Sequence, residues 1–194
     1  MSNVTREVSR VRSTKRESSE KDGRRNSQLQ APFGKERIHK EPLHPQYVAG
    51  FIDGEGSFSV SVGKHKTMKR GSEVRLEFEI ELRADDRDIL ERICATIGCG
   101  RIYDLSYDRY GWYPHVKYKI GGVKDMQKYL VPFLDKHPLQ AKKGEVYVFF
   151  RQIVMMFARK EHLTDEGFEK ILKLRDEIRA RGKKAKTHAK TLTR

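Results

Sequence analysis

The run Asp53-Gly54-Glu55-Gly56 joins two acidic side chains to glycines at the end of a short apolar stretch. In that stretch Tyr47, Val48, Phe51 and Ile52 recur at helical spacing, and Pro45 suits a first helical turn, where its missing N–H would be unpaired anyway. The last carbonyls of a helix have no partner within it and lie at the negative end of its dipole. A Glu55 carboxylate beside them makes an oxygen-rich cage of the kind that suits Mg²⁺. Ala49, then Gly50 and Gly54 four apart, leave another face small enough for a second helix to come close. If two such helices met, two Glu55 carboxylates would arrive together, as two-metal phosphodiester chemistry requires.

The elements that would hold this turn follow directly. Phe58, Val60 and Val62 alternate with serines, and Val74, Leu76, Phe78, Ile80 and Leu82 alternate with charged residues, so two strands with one buried face are expected. The basic segment 63–71 links them into an antiparallel ribbon narrow enough for a DNA major groove. Lys64, Lys66, Lys69 and Arg70 are expected to meet phosphates or guanines, and Arg75 and Arg83 to contact bases. Glu77, Glu79 and Glu81 on the same face would repel phosphates unless they meet cytosine amino groups or cations.

Farther on, residues 85–97 carry a helical apolar stripe with Gly98 as its C-cap. Residues 101–107 and 113–120 read as a second strand pair, from which Arg101, Lys117 and Lys119 would also face DNA. Residues 123–134 form an amphipathic segment bent or interrupted by Pro132. Two further helices, around Val146–Phe157 and Phe168–Ile178, read as core cover.

Charge separates the ends from the middle. Residues 1–40 hold 11 Lys/Arg against 5 Asp/Glu, residues 179–194 hold 7 and none, and the intervening segment is nearly neutral within a chain of net charge +14. A polyanionic partner follows from the total. Residues 1–38 have the composition of a disordered basic tail, 39–181 of a folded domain, and 182–194 of a second basic tail without periodicity. No apolar run reaches membrane-spanning length, no membrane partner is expected, and the N-terminus lacks the apolar centre of a secretory signal. Cys94 and Cys99 are too few for a disulfide framework or a four-ligand zinc site, so they read as reduced thiols of an intracellular protein.

The segment Val48 to Gly56, V-A-G-F-I-D-G-E-G, resembles the LAGLIDADG motif of homing endonucleases, and the resemblance extends over roughly Leu43 to Phe157. It implies an α+β fold of order αββαββα, with a curved antiparallel β-sheet saddle for DNA and helices on one side. With one motif in the chain, it implies a homodimer that packs its motif helices at a two-fold axis and cleaves both strands of a long, nearly palindromic double-stranded DNA target. Ala49, Gly50 and Asp53 would lie at that interface, Asp53 in a structural role. Glu55 would bind and activate the metal, and Gly54 would offer its backbone carbonyl. Mg²⁺ is the implied cofactor, with Mn²⁺ an expected substitute.

A lysine before the helix that follows the second strand pair would assist catalysis. Lys142 fits, with Lys143 as the alternative. Relatives carry a water-ordering glutamine near the end of the second strand where this chain has Leu82, so Glu79 or Arg83 would have to serve instead. The resemblance also implies an intron-encoded reading frame, in a bacterial or archaeal cytoplasm or in an organelle. Intron RNA maturation and DNA binding without catalysis are the other activities that this fold supports.

Overall fold

The structure is a computed structural model that describes residues 40–191 apart from 68–69, 108–110 and 112, with side chains to residue 182. The expected N-terminal tail, Lys69 and the centre of the 105–113 turn lie outside the described residues. Helix α1, Pro45–Glu55, starts with Pro45 under a His44 cap and stops at Gly56, whose N–H bonds the Ile52 carbonyl at 2.9 Å. A Cβ on Gly56 would stand 2.8 Å from that carbonyl oxygen and 3.2 Å from the Phe78 ring, so the glycine permits a tight passage from helix to strand.

Strands β1 (Ser57–Lys64) and β2 (Ser72–Arg83) form the expected ribbon, followed by α2 (Arg87–Ile97), β3 (Arg101–Leu105) and β4 (His115–Ile120). The sheet is antiparallel throughout, in the order β1-β2-β4-β3. The second pair is shorter than alternation suggests. Pro114 has no N–H for the ladder, and its carbonyl instead accepts from Ala84 N at 2.9 Å. Gly98 closes α2 with φ 87°, the left-handed conformation expected of a C-cap.

Pro132 does not interrupt its helix. Helices α3 (Val123–Asp125) and α4 (Val131–Lys136) are joined by a π-helical turn, Met126–Leu130, in which Val131 N–H bonds Met126 O. Widening that turn frees the carbonyl that the proline ring would otherwise strike. Helices α5 (Lys143–Ala158) and α6 (Asp165–Thr191) complete the chain. The backbone thus stays helical beyond Gly182, because residues added to an anchored helix need only propagate it and require no apolar face of their own.

All the helices cover one face of the sheet. Phe78, Ile80, Val116 and Tyr118 are at most 1% exposed there, packed with Ile52, Leu90, Ile93, Phe150 and Ile171 in one core. Each such side chain contributes roughly 1.5–3 kcal/mol by leaving water, and no polar or charged residue is buried among the described residues. The other sheet face therefore carries the charged side chains, and α1 delivers Glu55 to its edge at the start of β1.

Candidate functional site

Glu55 ends α1 exposed, without a hydrogen-bond or ion-pair partner among the described residues. Beside it the Lys143 ammonium donates to the Gly54 carbonyl at 2.8 Å. The bond depends on Asp53, whose Oδ2 accepts from the backbone N–H groups of Gln140 (2.6 Å) and Ala141 (3.2 Å). This pins the loop ahead of α5 onto α1, so that the first residue of α5 reaches the end of α1. Burial lowers the Lys143 pKa below the ordinary lysine value, and the charges of Glu55 and Asp53 partly oppose that shift.

Lys142, the position that fits the resemblance, is exposed as the N-cap of α5 and has no bond to Gly54. Adjacent lysines look equivalent in sequence. Only the helix start, which turns successive side chains about 100° apart, selects Lys143.

The oxygen donors fit a hard divalent cation. Glu55 carries a free carboxylate, the Gly54 carbonyl has a second lone pair besides the one that Lys143 engages, and Asp53 Oδ1 is shielded from solvent without a partner. Among the described residues no group of three or more His, Cys, Asp or Glu side chains gathers to hold a metal. Cysteine chemistry does not compete: both thiols are free, and burial raises Cys94 to about 11 and Cys99 to about 12, keeping them protonated.

The outward face of α1 is open. A Cβ on Gly50 or Gly54 would meet nothing within 4 Å, and Tyr47 beside them is 51% exposed. Ala49 does not belong to that face. It is 4% exposed and packed within its own chain, and Asp53 is occupied by the 140–141 loop. Of the three residues expected at an interface, the chain leaves only Gly50 open.

The charged sheet face is a mosaic of ion pairs. Lys119 Nζ bonds Glu77 at 2.6 Å, and Lys117 Nζ lies 3.2 Å from Glu79 and 3.0 Å from Glu81. The register that sets Glu79 opposite Lys119 and Glu81 opposite Lys117 makes these meetings possible. Burial would raise the Glu81 pKa, but the Tyr107 hydroxyl and Lys117 hold it below the ordinary value. The glutamate run thus meets cations within the sheet. Arg75 pairs with Glu73 at 2.8 Å, and Arg83 pairs with Asp85 at 3.0 Å over the Tyr113 ring. Lys64, Lys66 and Arg101 are exposed and hold no hydrogen bond or ion pair among the described residues. Leu82 is partly buried and packs against the core.

Arg70 points elsewhere. Its guanidinium donates to the carbonyls of His162 and Leu163 at 3.2 Å and to Asp165 at 2.6 Å, and it lies over the Phe168 ring. With its donors engaged within the chain, Arg70 is placed as a strut between the β1–β2 hairpin and the start of α6. Replacing Arg70 by alanine is expected to cost about 1–2 kcal/mol in urea denaturation and to speed amide exchange near residues 65–74. A phosphate role would instead leave stability unchanged and weaken DNA binding.

Comparison with known proteins places this geometry among relatives. The LAGLIDADG endonuclease family model matches residues 48–154. Probable intron-encoded endonuclease 3 of Neurospora crassa is 31% identical over 133 residues, covering 69% of this chain and 24% of that protein. Homing endonuclease I-ApeII of Aeropyrum pernix is 30% identical over 116 residues, covering 60% of this chain and 65% of that protein. The chain spans between about a quarter and a third of the length of the fungal relatives it matches. Among solved structures, I-SmaMI bound to uncleaved DNA in the presence of calcium superposes with TM-score 0.65 at 34% identity, over 70% of this chain and 45% of that one. Homing endonuclease I-TnaI superposes with TM-score 0.62 at 33% identity, over 74% of this chain and 98% of that one.

Proposed function

The chain belongs to the LAGLIDADG endonuclease family, and from that premise we propose that it is a site-specific, metal-dependent DNA endonuclease acting as a homodimer. The observation that carries this reading is the 2.8 Å bond from Lys143 to the Gly54 carbonyl beside a free Glu55 carboxylate, at the edge of the charged sheet face. Glu55 and the Gly54 carbonyl would hold Mg²⁺, with Mn²⁺ an expected substitute. When bound, the cation supplies charge stabilisation at the scissile phosphate and lowers the pKa of its water.

The chain's own residues do the rest. Asp53 holds the 140–141 loop and so positions Lys143, whose ammonium offsets negative charge that develops on the phosphate. Lys64, Lys66 and Arg101 meet the DNA backbone, while the paired Lys117, Lys119, Arg75 and Arg83 face base edges. The open Gly50–Gly54 face accepts α1 of a second copy, which brings the second Glu55. A nearly palindromic target follows from that symmetry. The relatives' names place their reading frames in introns, and the same setting is proposed here. No helix among the described residues is long and apolar enough to cross a membrane.

Incubating the protein with a randomised-site DNA library tests the reading. Site-specific double-strand cuts that need Mg²⁺ and stop with EDTA are expected, from a species with the mass of two chains. A folded protein that makes no cuts under any condition would sink it. The lysine assignment has its own check: Lys143→Ala should lower cleavage about 10-fold or more, whereas Lys142→Ala should leave it within about 2-fold, since one lost charge contact in a transition state is worth about 1.4 kcal/mol or more.

A further inference from the structure

We infer that Glu77 with Lys119, and Glu79 with Lys117, are two base-reading couples, each matched to a C·G pair, that set the target sequence at positions two base pairs apart; the inference rests on the nuclease reading above. All four residues lie on the charged sheet face, where β2 and β4 pair. Lys119 Nζ bonds Glu77 Oε1 at 2.6 Å, and Lys117 Nζ lies 3.2 Å from Glu79 Oε2. The other oxygen of each carboxylate, Glu77 Oε2 and Glu79 Oε1, has no hydrogen bond among the described residues. Glu81 differs, since Tyr107 donates to its Oε1 at 2.7 Å and Lys117 lies 3.0 Å from its Oε2. It anchors Lys117. On β1, Ser59 stands opposite Glu77 and Ser57 opposite Glu79, so the flanking side chains are short.

Three carboxylates beside two ammoniums give this patch no surplus of positive charge, so it suits the floor of a groove and not the phosphate backbone. Ion pairs at a surface add little to stability, but these fix where donors and acceptors point. In the major groove a C·G pair presents the cytosine N4 amino group as a donor and guanine O6 and N7 as acceptors. The open carboxylate oxygen accepts from the first. The ammonium beside it has three donors, of which Lys119 spends one within the sheet and Lys117 two, so each keeps one for guanine. Burial works against the Lys117 charge, yet Glu81 and Glu79 hold its pKa above the ordinary lysine value. Outward residues of a strand recur about every 6.8 Å, twice the roughly 3.4 Å between base pairs. Couples at successive outward positions of β2 therefore fall on every second base pair.

The test selects binding sites for the full chain from a randomised duplex library in EDTA, so that selection reads binding and not cleavage. Wild-type sites should carry C·G at two positions, two base pairs apart, in each half-site. Glu79→Gln should relax one of these about 5-fold or more, the low end of what a specific base contact discriminates, and move it toward A·T because glutamine pairs with adenine N6 and N7. Glu77→Gln should relax the other position and leave the first unchanged. Glu91→Gln, which breaks the ion pair with Arg87 on the helix side of the sheet, should alter neither. The wild-type salt dependence should persist in all three variants, since none loses a phosphate contact. Wild-type sites without the two C·G positions, equal changes in affinity for every sequence, or relaxation of the same position by both variants would overturn the inference and leave the nuclease reading intact. A wild-type chain that binds no duplex would overturn both.

Discussion

Replacing Glu55 with glutamine should lower DNA cleavage by at least about 10³-fold, equivalent to about 4 kcal/mol of transition-state stabilisation, while leaving the fold and DNA binding intact. The carboxylate is exposed and has no hydrogen-bond or ion-pair partner among the described residues, so its loss removes no packing. Surface changes of this kind stay within about 0.5 kcal/mol in stability. The amide keeps the side chain's shape but loses the charge that a divalent cation needs. EDTA treatment of the wild-type protein should give the same loss without further effect in the variant. Cleavage by Glu55→Gln at the wild-type rate would remove Glu55 from the chemistry, and a large fall in melting temperature would give it a structural role that its free carboxylate does not suggest.

Replacing Gly50 with leucine should abolish dimerisation and lower cleavage by about 10²-fold or more, without destabilising the subunit. A Cβ at this position meets nothing within 4 Å in its own chain. In a helix interior leucine is favoured over glycine by up to about 1 kcal/mol, so the isolated subunit should melt at the same temperature or higher. A second α1 packed across this face would meet the new side chain. Sedimentation mass and melting temperature read together decide the matter. A dimer that still cuts would show that α1 is not the contact, and a destabilised monomer would assign Gly50 to its own subunit's folding.

How far these residues can be read before folding depends on what each contact spans. The β1–β2 ribbon was legible because alternation of period two is local, and the sheet pairs Phe58 with Phe78 and Val60 with Leu76 as the patterns require. The end of α1 was legible for the same reason, since proline, glycine and carboxylate sit within one short run. The partners of Arg70 were not. They lie more than 90 residues away, and nothing local distinguishes an arginine that turns back under its hairpin from one that reaches a phosphate. Ala49 illustrates the same limit at smaller scale, because residues one apart on a helix differ by about 100° in direction and only the position of the sheet decides which of them is covered.

By itself the sequence determined the order of the elements, the acidic turn at the end of the motif helix and the concentration of positive charge beyond residue 178, because each is set by neighbours along the chain. The tertiary structure decided which lysine meets Gly54, through Asp53 holding a loop 87 residues away. It decided that the glutamates of β2 meet Lys117 and Lys119, through the register of β2 on β4. Each of these depends on a distance across the folded chain, which is settled when the core packs.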